Sequence, residues 1–392
     1  MKEGNIMCRI GDVFETCAGG TPLKSQKDYY EGGNIPWLRS GEVCKKYITE
    51  TERFITQKGM ENSSAKMYPM NTVVVAMYGA TAAQVGILKI ETTSNQAVCG
   101  ILPNPNFIPE YVYYWFVNIK KELASQAQGG AQPNISQIKI KNILIPRLNL
   151  DEQRRIVSYL DSSFKLIDEI KNKALKSLTE AKALFQSALA EAMEPKEGWE
   201  EKTLGEIATE MYRGSGIKRD QITPIGYPCL RYGEIYTTYN YSFSECISHT
   251  NESIISPKKY FEKGDILFAI TGESVEDIGK CIAYTGKEKC LLGGDIVAMK
   301  HNQYPQFLAY ALSTKEAIRQ KGLGKVKLKV VHTNIPALKT IRIYLPNFPT
   351  QKRIVSHLDK LSSKVRAIEE KYQKMVEECD ALKQAMLRDV FE

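Results

Sequence analysis

One stretch of this chain is written twice. Gln153-Arg154-Arg155-Ile156-Val157-Ser158-Tyr159-Leu160-Asp161 returns as Gln351-Lys352-Arg353-Ile354-Val355-Ser356-His357-Leu358-Asp359, 198 positions further on in a chain of 392. A repeat at half the chain length points to a fold built as two versions of one unit.

The residues beyond each copy show what the unit contains. After the second, Ile354, Leu358, Leu361, Val365, Ile368, Tyr372, Met375, Cys379, Leu382 and Met386 alternate steps of four and three. That is the spacing of a narrow helix seam that supercoils against a partner. The same positions after the first copy carry smaller residues, Ile156, Leu160, Ser163, Ile167, Ile170, Ala174, Ser177, Ala181, Leu184 and Ala188, with Phe164, Leu178, Phe185 and Leu189 widening the stripe. Large facing small, the two seams suit each other. A helix of roughly 40 residues is a rod of about 60 Å. The expectation is an antiparallel helix pair that separates two lobes related by a pseudo-twofold axis.

The lobes repeat in register too. Ile10-Gly11-Asp12-Val13 answers Leu204-Gly205-Glu206-Ile207, and Trp37-Leu38-Arg39-Ser40-Gly41-Glu42-Val43 answers Cys229-Leu230-Arg231-Tyr232-Gly233-Glu234-Ile235. The run Thr72–Met77, ending in Tyr78-Gly79-Ala80-Thr81, answers Asp265–Ile270, ending in Thr271-Gly272-Glu273. Residues 109–119 answer 305–318 as a short helical stretch, and Asn134-Ile135 is matched with Asn334-Ile335. β-branched runs between Gly and Pro mark each lobe as β-rich with a few helices. The fold class expected is α+β: a first domain at 1–150, a spacer helix and linker at 151–197, a second domain at 198–349 and a second spacer helix at 350–392. Pro195 and Gly198 end the first helix before the second lobe begins.

Net charge is +8, and its place matters more than its size. The first lobe carries +4, residues 151–197 carry −1, residues 198–350 carry +4 and the rest +1. Two positive lobes joined by a near-neutral rod suit contact with a polyanion at the lobes. The nine cysteines lack CxxC or zinc spacing and read as reduced core thiols, and the four histidines stand alone. No metal site is readable. No run reaches the length of a membrane span, and Met1-Lys2-Glu3-Gly4-Asn5 carries no signal-peptide core, which reads as a cytoplasmic chain.

Catalytic motifs are missing. Asn104-Pro105-Asn106-Phe107 lacks the second proline of the amino-methyltransferase motif and reads as a turn, and Gly214-Ser215-Gly216-Ile217-Lys218 lacks P-loop spacing. Two diverged copies of a lobe fit two binding sites better than one active site.

The alternation of lobe and helix, the QRRIV/QKRIV-x₂-LD opening of each helix and the paired Leu-Arg-x-Gly-Glu segments together resemble the specificity subunit of type I restriction-modification systems, over essentially the whole chain. The resemblance implies that each lobe is a target recognition domain reading one half of a split site in double-stranded DNA. It implies that the helices hold the half-sites apart and dock methyltransferase subunits, two of them, with restriction/translocase subunits joining. It also implies no catalysis and no cofactor in this chain, with S-adenosylmethionine, ATP and Mg used by the partners.

Candidate DNA-contacting residues are the polar ones at repeated strand ends and loops: Arg39, Ser40, Tyr78, Thr81, Gln132 and Asn134, then Arg231, Tyr232, Thr271, Lys325, Lys327, Lys329 and His332. Arg forks onto guanine, and Asn or Gln onto adenine. Arg39 and Arg231 recur in both lobes, which fits a structural or phosphate role, since readers of different half-sites should differ. The three alternating lysines equally describe a solvated strand edge. A coiled-coil scaffold with duplicated protein-binding lobes keeps the rod but leaves the positive lobes unexplained. An enzyme acting on DNA alone needs a cofactor or metal motif that is not found.

Overall fold

A computed structural model of the chain describes residues 6–125, 134–324 and 330–392. Two compact units divide it: Met1–Leu175 with Lys374–Glu392, and Lys176–Gln373. Each unit therefore holds a lobe, the first half of that lobe's own long helix and the last half of the other.

The centre of each lobe is a five-stranded sheet of one topology. In the first it runs Thr16–Ala18, Val98–Ile101, Val73–Ala76, Val85–Leu88, Tyr47–Ile48; in the second, Ala208–Arg213, Ile296–His301, Ile266–Ala269, Cys281–Tyr284, Ser242–Phe243. The central strands are apolar at every position because both faces are covered. Successive side chains on a strand point to opposite faces, so Val73 and Val75 join the core beneath helix Pro109–Asn118, while Val74 and Ala76 pack on Leu38 and Tyr68. Ile266 and Phe268, against Leu267 and Ala269, repeat the division in the second lobe. A second sheet lies beyond, three-stranded in the first lobe and five-stranded in the second: Trp37 pairs in parallel with Thr93, and Cys229 with Leu291.

A strand at the start of each lobe closes on the strand just before the long helix. Met7–Arg9 pairs with Leu144–Pro146, and Glu200–Thr203 with Arg342–Leu345. The long helices themselves run Leu150–Ala192 and Phe348–Phe391.

The duplicated motif is the mount of helix on lobe. Gln153 and Gln351 are 0% and 1% exposed. The Gln153 side-chain amide donates to the carbonyls of Asn106 and Leu148 (both 2.9 Å) and its oxygen accepts the Ile108 N–H (2.8 Å). Gln351 donates to the Pro346 carbonyl (2.9 Å) and the Gln303 side-chain oxygen (2.8 Å), and accepts the Tyr304 N–H (3.0 Å). Ile108 and Tyr304 each precede a helix that opens with proline, and the glutamine oxygen gives their half-buried N–H groups a partner. Two turns on, Asp161 accepts the Tyr114 hydroxyl and pairs with Lys46, and Asp359 accepts the Tyr310 hydroxyl at 2.7 Å. Leu160 and Leu358 between them are fully buried.

Within the first unit the helices run antiparallel, since Asp168 bonds Lys383 (2.5 Å) while Lys171 bonds Asp380 (2.6 Å). Of the expected seam residues, Leu160, Ile167, Leu358 and Val365 are buried, and Ile156, Ile354, Leu361, Met375 and Met386 are half-buried. Ile170, Leu184, Ile368 and Leu382 are not in the seam: they stand 49%, 62%, 41% and 51% exposed. In each case the inward position is one residue further on, at Lys171, Phe185, Glu369 and Lys383. Steps of three-then-four and four-then-three both satisfy a heptad, and the structure takes the second. The long stems of Lys171 and Lys383 flank the seam and carry their ammonium groups to carboxylates.

Each helix ends in a lobe core. In the second unit Phe185, Leu189 and Met193 join Phe307, Leu308 and Leu358, with the Phe185 ring 5.5 Å from Tyr241 and 6.3 Å from Tyr310. In the first, Leu387 and Phe391 join Tyr111 and Trp115, the Phe391 ring 5.6 and 5.3 Å from theirs.

Candidate nucleic-acid interface

The outer end of the central strand is built alike in both lobes. Beyond Val73–Ala76, Tyr78 forms an antiparallel bridge with Asn134, and the Ile135 N–H donates to the Met77 carbonyl at 2.9 Å. Thr81 closes the turn by donating to the Tyr78 carbonyl at 3.4 Å, and Gly79 supplies the positive φ of 73°. In the second lobe Thr271 pairs with His332, and the Thr333 N–H donates to the Ile270 carbonyl at 2.9 Å. The Thr271 hydroxyl meets His332 Nδ1 at 3.1 Å. The structure thus gathers Tyr78, Thr81 and Asn134 on one edge, and Thr271 and His332 on its counterpart. Tyr78, Asn134 and His332 are exposed, Thr81 and Thr271 half-buried.

This geometry corrects one register. Asn134 corresponds to His332, not to Asn334. Asn334 caps helix Ile335–Lys339 by accepting the Ala337 N–H (2.9 Å), and its counterpart is Ser136, which accepts the Lys139 N–H (3.2 Å) ahead of Gln137–Asn142. Ser and Asn are interchangeable at an N-cap, so a shared Asn-Ile pair misaligned the two by two residues. Gln132, Lys325, Lys327 and Lys329 lie outside the described residues.

The Leu-Arg-x-Gly-Glu segments divide by role. Leu38 and Leu230 are fully buried. Glu42 and Glu234 cap the start of their turns, accepting the N–H of Arg39 (3.0 Å) and Arg231 (3.2 Å), and Glu234 also takes the Ser248 hydroxyl at 2.6 Å. The Arg39 guanidinium is held by Glu42 at 3.2 Å and by Glu52. It is therefore a tethered group rather than an open fork for guanine. Among the described residues no ion pair involves Arg231, and its neighbour Tyr232 is 40% exposed. Ser40 is half-buried beside Arg39 on a groove that Lys45 and Asn95 also line.

Some lobe cations are engaged within the fold. Lys46 pairs with Asp161 above the Tyr114 ring (4.5 Å), and Lys89 pairs with Glu110 at 3.3 Å. Burial, with Glu110 next, pushes the Tyr47 phenol up to about 12. Burial likewise pushes the thiols of Cys99 and Cys229 up to about 12, which leaves them poor nucleophiles and metal ligands. Among the described residues no three His, Cys, Asp or Glu converge as a metal site, and no helix is long and apolar enough to cross a membrane. The residues missed at sequence level are Gln153, Gln351, Asp161 and Asp359. Their signal was present as the repeated motif, but their use as anchors is not a local property.

The model of the type I restriction modification DNA specificity domain matches residues 2–180 and again 196–378. The EcoR124I/EcoR124II specificity subunit of Escherichia coli is 27% identical over 175 residues, 43% of each chain. The MjaIX specificity subunit of Methanocaldococcus jannaschii is 28% identical over 294 residues, 69% of this chain and 66% of that one. These alignments span less than two thirds of those relatives' lengths. The MjaVIII subunit of the same archaeon is 24% identical over 379 residues, 91% and 85% of the two chains. A chain solved in work on assembly and conformational transition of the type I R-M system shares the fold, with TM-score 0.76 and 19% identity, covering 100% of this chain and 98% of its own. The HsdS subunit from Thermoanaerobacter tengcongensis gives 0.50 at 19% identity, covering 100% and 97%. Matched in both halves, the chain belongs to the type I restriction modification DNA specificity family.

Proposed function

We propose that this chain is the DNA-reading subunit of a type I restriction-modification complex, each lobe reading one half of a split site. The observation that carries the reading is one scaffold presented twice with different side chains on the same edge: Tyr78 and Asn134 in one lobe, Thr271 and His332 in the other. Equivalent positions with unlike hydrogen-bonding groups are what two different half-sites require, Asn for adenine and His as a donor to guanine N7 or O6. Arg39, Ser40, Arg231 and Tyr232 are further candidate contacts, and so, by sequence, are Gln132, Lys325, Lys327 and Lys329. The helix pair fixes the spacing and docks two methyltransferase subunits, and restriction/translocase subunits complete the assembly. Adenine methylation with S-adenosylmethionine, and ATP- and Mg-dependent translocation and cleavage, belong to those partners in the cytoplasm. A scaffold with protein-binding lobes gives no reason for two positive lobes whose matching edges differ in polar chemistry.

A long-read map of modified adenines, with the gene intact and deleted, tests this. Loss of one motif of two short half-sites at fixed spacing is expected. An unchanged map in a strain whose methyltransferase partner is expressed would reject the reading. Exchange of residues 198–349 for those of another family member should then alter one half-site and spare the other.

A further inference from the structure

Among the described residues three glycines combine an ordinary φ with open space where a Cβ would stand: Gly41, Gly216 and Gly233. Gly216 belongs to a close backbone crossing, since a Cβ on Gly294 would stand 3.0 Å from it. Gly41 and Gly233 have no such neighbour, and they hold the same place in the two lobes. Each sits in a helical turn, Ser40–Glu42 and Tyr232–Thr237, where glycine is destabilising relative to alanine. Two other repeated residues of the segment have internal uses: the leucine fills the core and the glutamate caps the turn. The fold itself gives no use to the glycine in either copy.

Glycine is the residue of choice where another backbone or a ligand approaches too closely for a Cβ. We infer that Gly41 and Gly233 are the points where the DNA sugar-phosphate backbone comes against each lobe. The inference rests on the DNA-reading proposal and deepens it. A group that is the same in both lobes, with only the residue just before it differing (Ser40 against Tyr232), matches the part of DNA that is the same in both half-sites. Phosphate and sugar contacts set register and carry no sequence information, whereas base contacts do. Arg39 and Arg231 stand two residues before each glycine, and Lys45 borders the groove of the first, as does Glu52, which holds Arg39.

The test is Gly41→Ala and Gly233→Ala in the full chain, assembled with its methyltransferase partner and titrated with a long mixed-sequence DNA duplex across a salt series. Each variant should unfold at the same temperature as the parent or higher, yet bind about tenfold more weakly. The salt slope should not change, because no charge is removed. Gly41→Val should weaken binding further than alanine. Undiminished DNA binding by both alanine variants would overturn the inference, as would a loss of binding that only accompanies a loss of folding. So would loss of methyltransferase assembly with DNA binding of the free chain intact, which would assign the face to a protein. Failure of the parent complex to bind duplex at all would instead remove the DNA-reading proposal on which the inference rests.

Discussion

Replacing Gln351 with methionine keeps the volume of the side chain and removes its three hydrogen bonds. The Gln351 side chain is 1% exposed, and its bond to the Pro346 carbonyl is buried. The Tyr304 N–H and the Pro346 carbonyl both lose this contact. A buried donor or acceptor left unmade costs about 1–3 kcal/mol, so losing the partners of these two should cost about 2–6 kcal/mol. That is a sizeable part of the roughly 5–15 kcal/mol that holds a domain folded. Because the chain has two compact units, the loss should fall on the unfolding of Lys176–Gln373, with the other unit's transition in place. Gln153→Met should show the reverse. Native-state hydrogen exchange gives the local reading: the Tyr304 amide should exchange about a hundredfold faster in Gln351→Met, and the Ile108 amide likewise in Gln153→Met. A loss under about 0.5 kcal/mol with unchanged exchange at Tyr304 would refute the claim that the repeated glutamine is the mount of the helix.

Three further outcomes are expected. His301 is held neutral by burial, its pKa lowered from 6.5 to about 4, so folding competes with protonation. Its contribution is complete above pH 6.5 and is lost as the pH falls towards 4, about 3 kcal/mol in all, and a His301→Asn variant should show a flatter urea midpoint between pH 7 and 4. Phe391→Ala should cost about 3–5 kcal/mol in the first unit, measured by chemical denaturation, because the ring is 4% exposed against Tyr111 and Trp115; an effect near zero would mean that the helix end frays. A heptad inserted in both long helices adds about 10 Å of rise and should lengthen the gap between half-sites by about three base pairs on a methylation map, an unchanged gap refuting the ruler.

Much of the fold was legible because it is periodic or repeated. Both long helices, the buried central strands and the correspondence of Leu38 with Leu230 are properties of a chain read along its own length. The repeat also marked the residues that matter for mounting each helix, without saying how they are used. The Asn134 register failed because a capping Asn and an edge Asn look the same as letters, and only the hydrogen bonds of Ser136 and Asn334 tell them apart.

What the sequence by itself determined is the set of local periods: two units, two helices each with a heptad stripe, and strands apolar on both faces. What only the tertiary structure decided is which side of each stripe turns inward. Ile170 and Lys171, like Leu382 and Lys383, are equally placed for a heptad, and the choice between them rests on what packs opposite. The same holds for the helix ends, where Leu189 and Phe391 look like the last turns of a rod and are in fact core residues of a lobe. A period is a property of one segment, whereas burial is a property of two surfaces, and only the folded chain supplies the second.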